Sequence, residues 1–229
     1  IYKQAGVDVS WLGHPLQDNK LTKKECALFL KQNDLRKDYP ILLIAPGSRP
    51  SELKRHLPIL VKSLPNIQEV IGKIQCILPL DESLNFQEIK KIISSSTVQI
   101  KLITNKFLES INICDAAIVA SGTASLQTGL ALKPFAIIYK VSPLTYWIAR
   151  LLSKTKYIGI VNILAEKEIV PELLQNDFKV NNIAKTAIRL LQDESYRARM
   201  ISELKKTRSK LGEPGAYEKA ACCIENFFR

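Results

Sequence analysis

The sequence predicts an α/β protein: a parallel sheet of about six strands flanked by helices, followed by a helical carboxyl-terminal segment. Three observations carry that expectation. Short apolar runs bounded by turn residues alternate with longer stretches of helical period as far as Asn162. Beyond Asn162 only helical periodicity continues. A chain of 229 residues, 46% apolar and 24% charged, can bury a sizeable core, which sets it apart from disordered sequences. That length fits one large domain or two small ones.

Residues before about 38 are less regular, and the lysine-rich stretch from Lys20 to Lys37 reads as a connector or short helix. Strands are expected at Ile41–Ala45, Ile74–Leu78, Val98–Ile103, Ala116–Ala120 and Phe135–Tyr139, with a weaker one at Tyr157–Ile160. Helices are expected between them at Ser51–Leu64, Asn85–Ser94, Lys106–Ile111, Thr123–Leu132 and Pro143–Leu152. Alternation of this kind implies right-handed crossovers and an open, Rossmann-like sheet whose ligands sit beyond the carboxyl ends of the strands. Glu168–Gln175, Asn181–Leu191, Glu194–Leu211 and Tyr217–Phe228 read as further helices, the last set off by the break Gly212-Glu213-Pro214-Gly215. No internal repeat or low-complexity segment is evident.

The formal net charge is +11 and the pI about 9.4, so an anionic partner is expected: nucleic acid, a phosphorylated substrate or an acidic membrane surface. No apolar run approaches the roughly 18 residues that a membrane-spanning helix needs. Ile1-Tyr2-Lys3-Gln4 lacks the pattern of a signal peptide, and the chain has no initiator Met, as expected of a fragment. Cys26, Cys76, Cys114, Cys222 and Cys223 form no CxxC pair, which argues against a disulfide scaffold or zinc finger and for a reducing, cytosolic compartment. Cys76 and Cys114 lie in or beside apolar segments and read as small core residues. His14 and His56 are the only histidines, and no HExxH, GxSxG or metal-spaced acid set accompanies them, so metal hydrolysis and Ser-His-Asp chemistry are not expected. His56 reads as an exposed residue of a basic amphipathic helix, whereas His14, in Gly13-His14-Pro15, sits at a turn within reach of a cleft.

Two turns carry the chemistry. Ala45-Pro46-Gly47-Ser48-Arg49 follows a strand and precedes a helix. There Gly47 permits close approach of the backbone to an anion, helix amides favour negative charge, and Arg49 supplies a bidentate phosphate donor. The turn is neither a Walker A loop nor a GxGxxG fingerprint, and a plain strand-to-helix turn with a solvated arginine fits the spacing equally well. Ser121-Gly122-Thr123-Ala124-Ser125 again follows a strand and opens a helix, as a neutral phosphate cradle or as simple capping. Two such turns in one sheet would face the same crevice, and a nucleotide diphosphate is the simplest shared ligand. Gln127, one helical turn after Thr123, could hydrogen-bond a ribose. Asn162 in Ile160-Val161-Asn162-Ile163-Leu164, with Glu172 and Gln175 on one face of the expected helix, forms a third candidate set; a solvated helix face competes with it.

The segment from Pro143 to Tyr157 mixes aromatic and aliphatic residues, Tyr146 and Trp147 among them, with three cations and no acid. It suits either an anionic membrane interface or a core helix with a basic outer edge. A second basic block, Arg197 to Lys210, sets six cations against Glu203 and suits membrane or nucleic-acid contact or a solvated helix face. The aromatic residues do not interleave with a basic sheet face, so nucleic acid is not expected as a partner.

These residues, taken in order, resemble the carboxyl-terminal part of the bacterial lipid-A-disaccharide synthase family, inverting glycosyltransferases of the GT-B type. The resemblance runs from Trp11-Leu12-Gly13-His14-Pro15-Leu16 through Ala45-Pro46-Gly47-Ser48-Arg49 with Glu52, and on through Ser121-Gly122-Thr123-Ala124-Ser125-Leu126 and Tyr139-Lys140. It ends with Asn162-Ile163-Leu164-Ala165 and Glu172-Leu173-Leu174-Gln175. It implies transfer of diacylated glucosamine from its UDP carrier to lipid X at the cytoplasmic face of the inner membrane, with UDP leaving and neither metal nor organic cofactor. It further implies that Gly47, Ser48, Arg49 and Ser121–Ala124 hold the diphosphate, that Gln127 faces the ribose, and that Asn162, Glu172 and Gln175 line the donor side of the cleft. Arg49 would offset the charge of the leaving group.

The domain division implied is an acceptor-domain end and linker at 1–38, a UDP-sugar-binding domain at 39–193, and helices at 194–229 returning to the acceptor domain. The family's Gly-Glu-x-Ser-Gly-Asp start and its catalytic base lie outside these residues, so the chain is expected to bind donor, with a homodimer or a separate acceptor-domain chain as partner. Three positions depart from the family pattern: Gln127 stands for Glu, Val161 for Pro and Glu166 for Gly. The alternatives are another UDP-sugar GT-B protein, such as an undecaprenyl-linked glucosaminyltransferase or a UDP-GlcNAc epimerase, and a non-catalytic, membrane-associated remnant of the fold.

Overall fold

Five of the six strands fall on the apolar runs of the sequence, and burial is most complete where the runs are uninterrupted. β1 (Ile41–Ala45) and β4 (Ala116–Ala120) are buried at every position, as strands covered on both faces must be. The computed structural model describes residues 5–7, 9–18, 21–142 and 155–228. β2 (Gln75–Leu80), β3 (Ile100–Thr104), β5 (Phe135–Tyr139) and β6 (Glu172–Leu174) complete one sheet of order β3-β2-β1-β4-β5-β6. Every neighbouring pair is parallel. This is the doubly wound order in which the chain reverses its direction of winding between β1 and β4, and ligands bind at that reversal.

The helices lie on both faces. α1 (Lys23–Gln32) opens on a capping box between Thr22 and Glu25, and α2 (Pro50–Ile71) carries Pro50 in its first turn, where a missing N–H costs nothing. α3 (Phe86–Ile93), α4 (Phe107–Ile113), α5 (Thr123–Leu130) and α6 (Ile160–Ala165) follow, then α7 (Val180–Gln192), α8 (Glu194–Ser209) and α9 (Ala216–Phe227). α2 packs along α7 on one face; α4, α5, α6 and α8 cover the other. The core between them is aliphatic, with Leu57, Leu60, Leu64, Ile67, Phe135 and Phe178 fully buried. The thiols of Cys76 and Cys114 are buried as expected, and burial pushes the Cys114 thiol up to about 12.

Two expectations fail at the far edge of the sheet. Glu168–Gln175 is not a helix. Pro171 biases its predecessor toward extended backbone, and residues 172–174 pair with Ile137, Ile138 and Tyr139 as β6. Tyr157–Ile160 is not a strand either: the Ile158 and Gly159 amides donate to the Glu172 carboxylate, and Gly159 caps the start of α6. The expected helix at Pro143–Leu152, with Tyr146 and Trp147, lies outside the described residues.

Residues 14–18 meet residues 208–215. The His14 amide donates to Leu211 O at 3.1 Å, the Gly215 amide to Asp18 Oδ1 at 2.6 Å, and the Gln17 amide nitrogen to Arg208 O and Gly212 O. α9 departs from this clasp with Tyr217 and Ile224 exposed.

Candidate functional site

The register of β1 on β4 pairs Ala45 with Val119, and two residues further along each strand Gly47 and Ser121 line one cleft. The two turns singled out in the sequence are therefore neighbours at the winding reversal. Together they line a cleft of about 720 Å³ that contains Gly47, Ser48, Arg49, Ser121, Gly122, Thr123, Ala124 and Gln127.

Gly47 has φ +118°, and a Cβ there would run into the Glu52 side chain, so no other residue fits this turn without moving it. Glu52 lies under the loop and accepts from the Arg49 amide at 3.4 Å, while its carboxylate stands 3.7 Å from Arg49 Nη1. The Arg49 side chain is 77% exposed, held on one side only, so the guanidinium can turn into the cleft. Across from it, Gly122 (φ +138°) leads into α5, whose first amides have no intrahelical acceptor. Thr123 is exposed at that helix start. Ser121 instead donates its hydroxyl to Ile158 O at 3.1 Å, tying the turn to the segment before α6.

The cleft extends over the ends of β2 and β3, where Pro79, Leu80, Asp81, Asn105 and Phe107 line it. Sequence reasoning missed this half. Nothing in these scattered residues repeats a motif, although Pro79 and Leu80 close β2, Asp81 and Asn105 directly follow β2 and β3, and Phe107 opens α4. The acids of the lining are each engaged: Asp81 accepts from the Ser83 amide and hydroxyl at 2.9 and 2.6 Å, and Glu109 pairs with Lys106 at 2.8 Å. The cavity is thus lined by backbone amides, hydroxyls and one guanidinium at the two turns, with three internally paired carboxylates, Glu52, Asp81 and Glu109, around them; an anion is best placed at the turns themselves. Gln127 also borders a smaller recess of about 220 Å³ formed with Leu16, Gln17 and Arg208.

The third candidate set lies elsewhere. Asn162 is fully buried and its amide is consumed within the fold, bonding Val170 O, Glu172 Oε1 and the amides of Ile169 and Val170. Glu172 is a strand residue, and Gln175, in the left-handed region at φ +44°, accepts from the Val141 amide at 3.0 Å. None of the three lines the cleft in this structure; they brace the segment that runs beside Ser121. His14 caps a short 3-10 turn (Pro15–Gln17) through Nδ1 and also stays out of the cleft.

The expectation for His56 is corrected. It is fully buried, because it falls on the apolar stripe of α2 with Leu53, Leu57 and Leu60, a spacing readable in the sequence. Its Nδ1 donates to Pro46 O at 2.6 Å and its Nε2 accepts from the Lys140 amide at 3.0 Å. Burial holds its pKa below the usual histidine value, so the ring is neutral at pH 7.

The family model described as lipid-A-disaccharide synthetase matches residues 1–227. The chain belongs to that family. A lipid-A-disaccharide synthase of Syntrophus aciditrophicus is 38% identical over 222 residues, covering 96% of this chain and 58% of the relative. The chain therefore spans less than two thirds of such relatives, and it matches their carboxyl-terminal part. Among solved structures, WaaG, a glycosyltransferase involved in lipopolysaccharide biosynthesis, aligns over 92% of this chain and 54% of its own, with TM-score 0.61 at 14% identity. Anabaena Alr3699/HepE in complex with UDP-glucose aligns over 99% of this chain and 60% of its own, with TM-score 0.60 at 12% identity. At those identities the likeness establishes the fold, which is that of GT-B glycosyltransferases. No helix among the described residues is long and apolar enough to cross a membrane.

Proposed function

We propose that the chain is the UDP-sugar-binding half of a lipid-A-disaccharide synthase, which transfers 2,3-diacylglucosamine from UDP to lipid X. The observation that carries this reading is the pairing of the Gly47–Arg49 turn after β1 with the start of α5 after β4, with Arg49 on the rim. In this reading the diphosphate lies between Gly47–Arg49 and Ser121–Ala124. Arg49 swings from Glu52 onto the phosphates and opposes the charge that grows on UDP as the glycosidic bond breaks. The extension over β2 and β3, where Leu80 and Phe107 lie beside the polar Asp81 and Asn105, is of a kind to take the base. Gln127 meets the ribose as a neutral amide. Asn162, Glu172 and Gln175 act from behind the cleft wall.

Family membership supports the choice of sugar carrier, as does the fold shared with a protein solved with UDP-glucose. The division proposed is donor binding by 39–193, with 1–38 and 194–229 belonging to the junction with an acceptor domain. That domain, from the same polypeptide or another, supplies the base and the lipid X site. The net charge of +11 and the acylated, anionic substrates support work at the cytoplasmic surface of the inner membrane.

Calorimetric titration with UDP tests the reading. The native chain should bind saturably, Arg49→Ala should bind at least about tenfold more weakly, and Gln127→Glu should bind more tightly through a charged acceptor for ribose hydroxyls. Absence of binding in both the native chain and Gln127→Glu would overturn it.

A further inference from the structure

We infer that His56 is a positioning residue for the donor site: through the Pro46 carbonyl, its ring aims the Gly47 N–H into the cleft as a phosphate donor. The inference rests on the donor-site reading above and adds a residue that does not itself touch the ligand. In a trans, planar peptide the C=O and the following N–H point in opposite directions. The Pro46–Gly47 unit has its oxygen drawn back to His56 Nδ1 at 2.6 Å, so the Gly47 N–H is turned away from α2, toward the cavity that Gly47 lines. No hydrogen bond from that N–H is formed among the described residues.

The other end of the ring fixes the tautomer. Nε2 accepts from the Lys140 amide, so the ring proton must sit on Nδ1, where it can donate to Pro46. The T-shaped contact with Phe178, at 5.3 Å between centroids, and the tilted contact with Tyr139, at 6.3 Å, hold the ring plane. One imidazole thereby links the loop after β1 to the exit of β5, across the intervening β4. The charged groups that act on it are Glu52 and Arg55 of its own helix; the β5 exit and the segment before α7 present the Tyr139 and Phe178 rings. A proton on Nε2 would set donor against donor at Lys140 and break the link.

The test is UDP titration of the full chain and two variants, with folding followed by thermal melting. His56→Leu keeps bulk and loses both bonds. His56→Asn can place Nδ2 where Nδ1 was and cannot titrate. At about pH 8, His56→Leu should bind UDP about tenfold more weakly and His56→Asn within about threefold of native. From about pH 8 down to the acid limit of the folded state the native affinity should fall more than that of His56→Asn, the ionisation of UDP being common to both. Native-like binding by a folded His56→Leu, or identical pH profiles for native and His56→Asn, would overturn the inference alone. Should the native chain bind no UDP at any pH in that range, the donor-site reading falls and this inference with it. The pH comparison stands even where His56→Leu does not fold.

Discussion

Asn162 donates to Glu172 Oε1 at 2.8 Å from a site with no solvent exposure, and the same carboxylate receives the amides of Ile158 and Gly159 at 3.0 Å each. One side chain on α6 and one on β6 thus close a polar knot in which every donor has an acceptor. The knot holds residues 158–159 against the sheet edge, and Ile158 in turn accepts from Ser121 of the cleft.

Asn162→Ala should therefore destabilise the protein by about 3 kcal/mol in urea unfolding, since it strips partners from the buried amides of Ile169 and Val170 and from Val170 O. Asn162→Asp should cost at least as much, because it sets a second carboxylate against Glu172. A loss of UDP binding by Asn162→Ala with full stability would contradict this assignment and place the residue at the ligand.

The neutral state of His56 makes stability depend on pH. Its folded pKa lies below the ordinary value of 6.5, with burial the largest cause. As pH falls below 6.5 the unfolded chain takes up the proton first, so the stability this group contributes is present above 6.5 and is lost as pH falls through the folded value. Melting temperature should decline across that interval in the native protein. The His56→Asn variant should decline less, and parallel curves for the two would refute the assignment.

The thiols divide by burial. Cys222 and Cys223 are exposed and Cys26 is partly so, whereas Cys76 and Cys114 are buried, with thiol pKa values raised by burial. A disulfide-exchange reagent should modify Cys222 and Cys223 rapidly, Cys26 more slowly, and Cys76 and Cys114 only at the rate of unfolding. Rapid modification of Cys114 in native protein would mean that the junction between α4 and β4 is open.

The legible parts of the fold were those whose burial is complete. β1 and β4 are apolar at every position because both faces are covered, and their ends were read to the residue. β6 was not legible: it is three residues long and includes Glu172, whose charge serves the knot. The two turns of the cleft announced themselves through Gly47, Arg49 and Gly122. The wall over β2 and β3 did not, being assembled from residues far apart in the chain. His56 was misread by residue type although its spacing placed it correctly, and Asn162 was read as facing a ligand because its partners, Val170 and Glu172, belong to an element that was itself misread.

The clasp between residues 14–18 and 208–215 joins positions as much as 197 apart in the chain. Loop closure over that span costs entropy that grows only slowly with length, and the sheet meets most of that cost by bringing both segments to one side. The clasp thus ties two segments far apart in the chain into one unit beside α9.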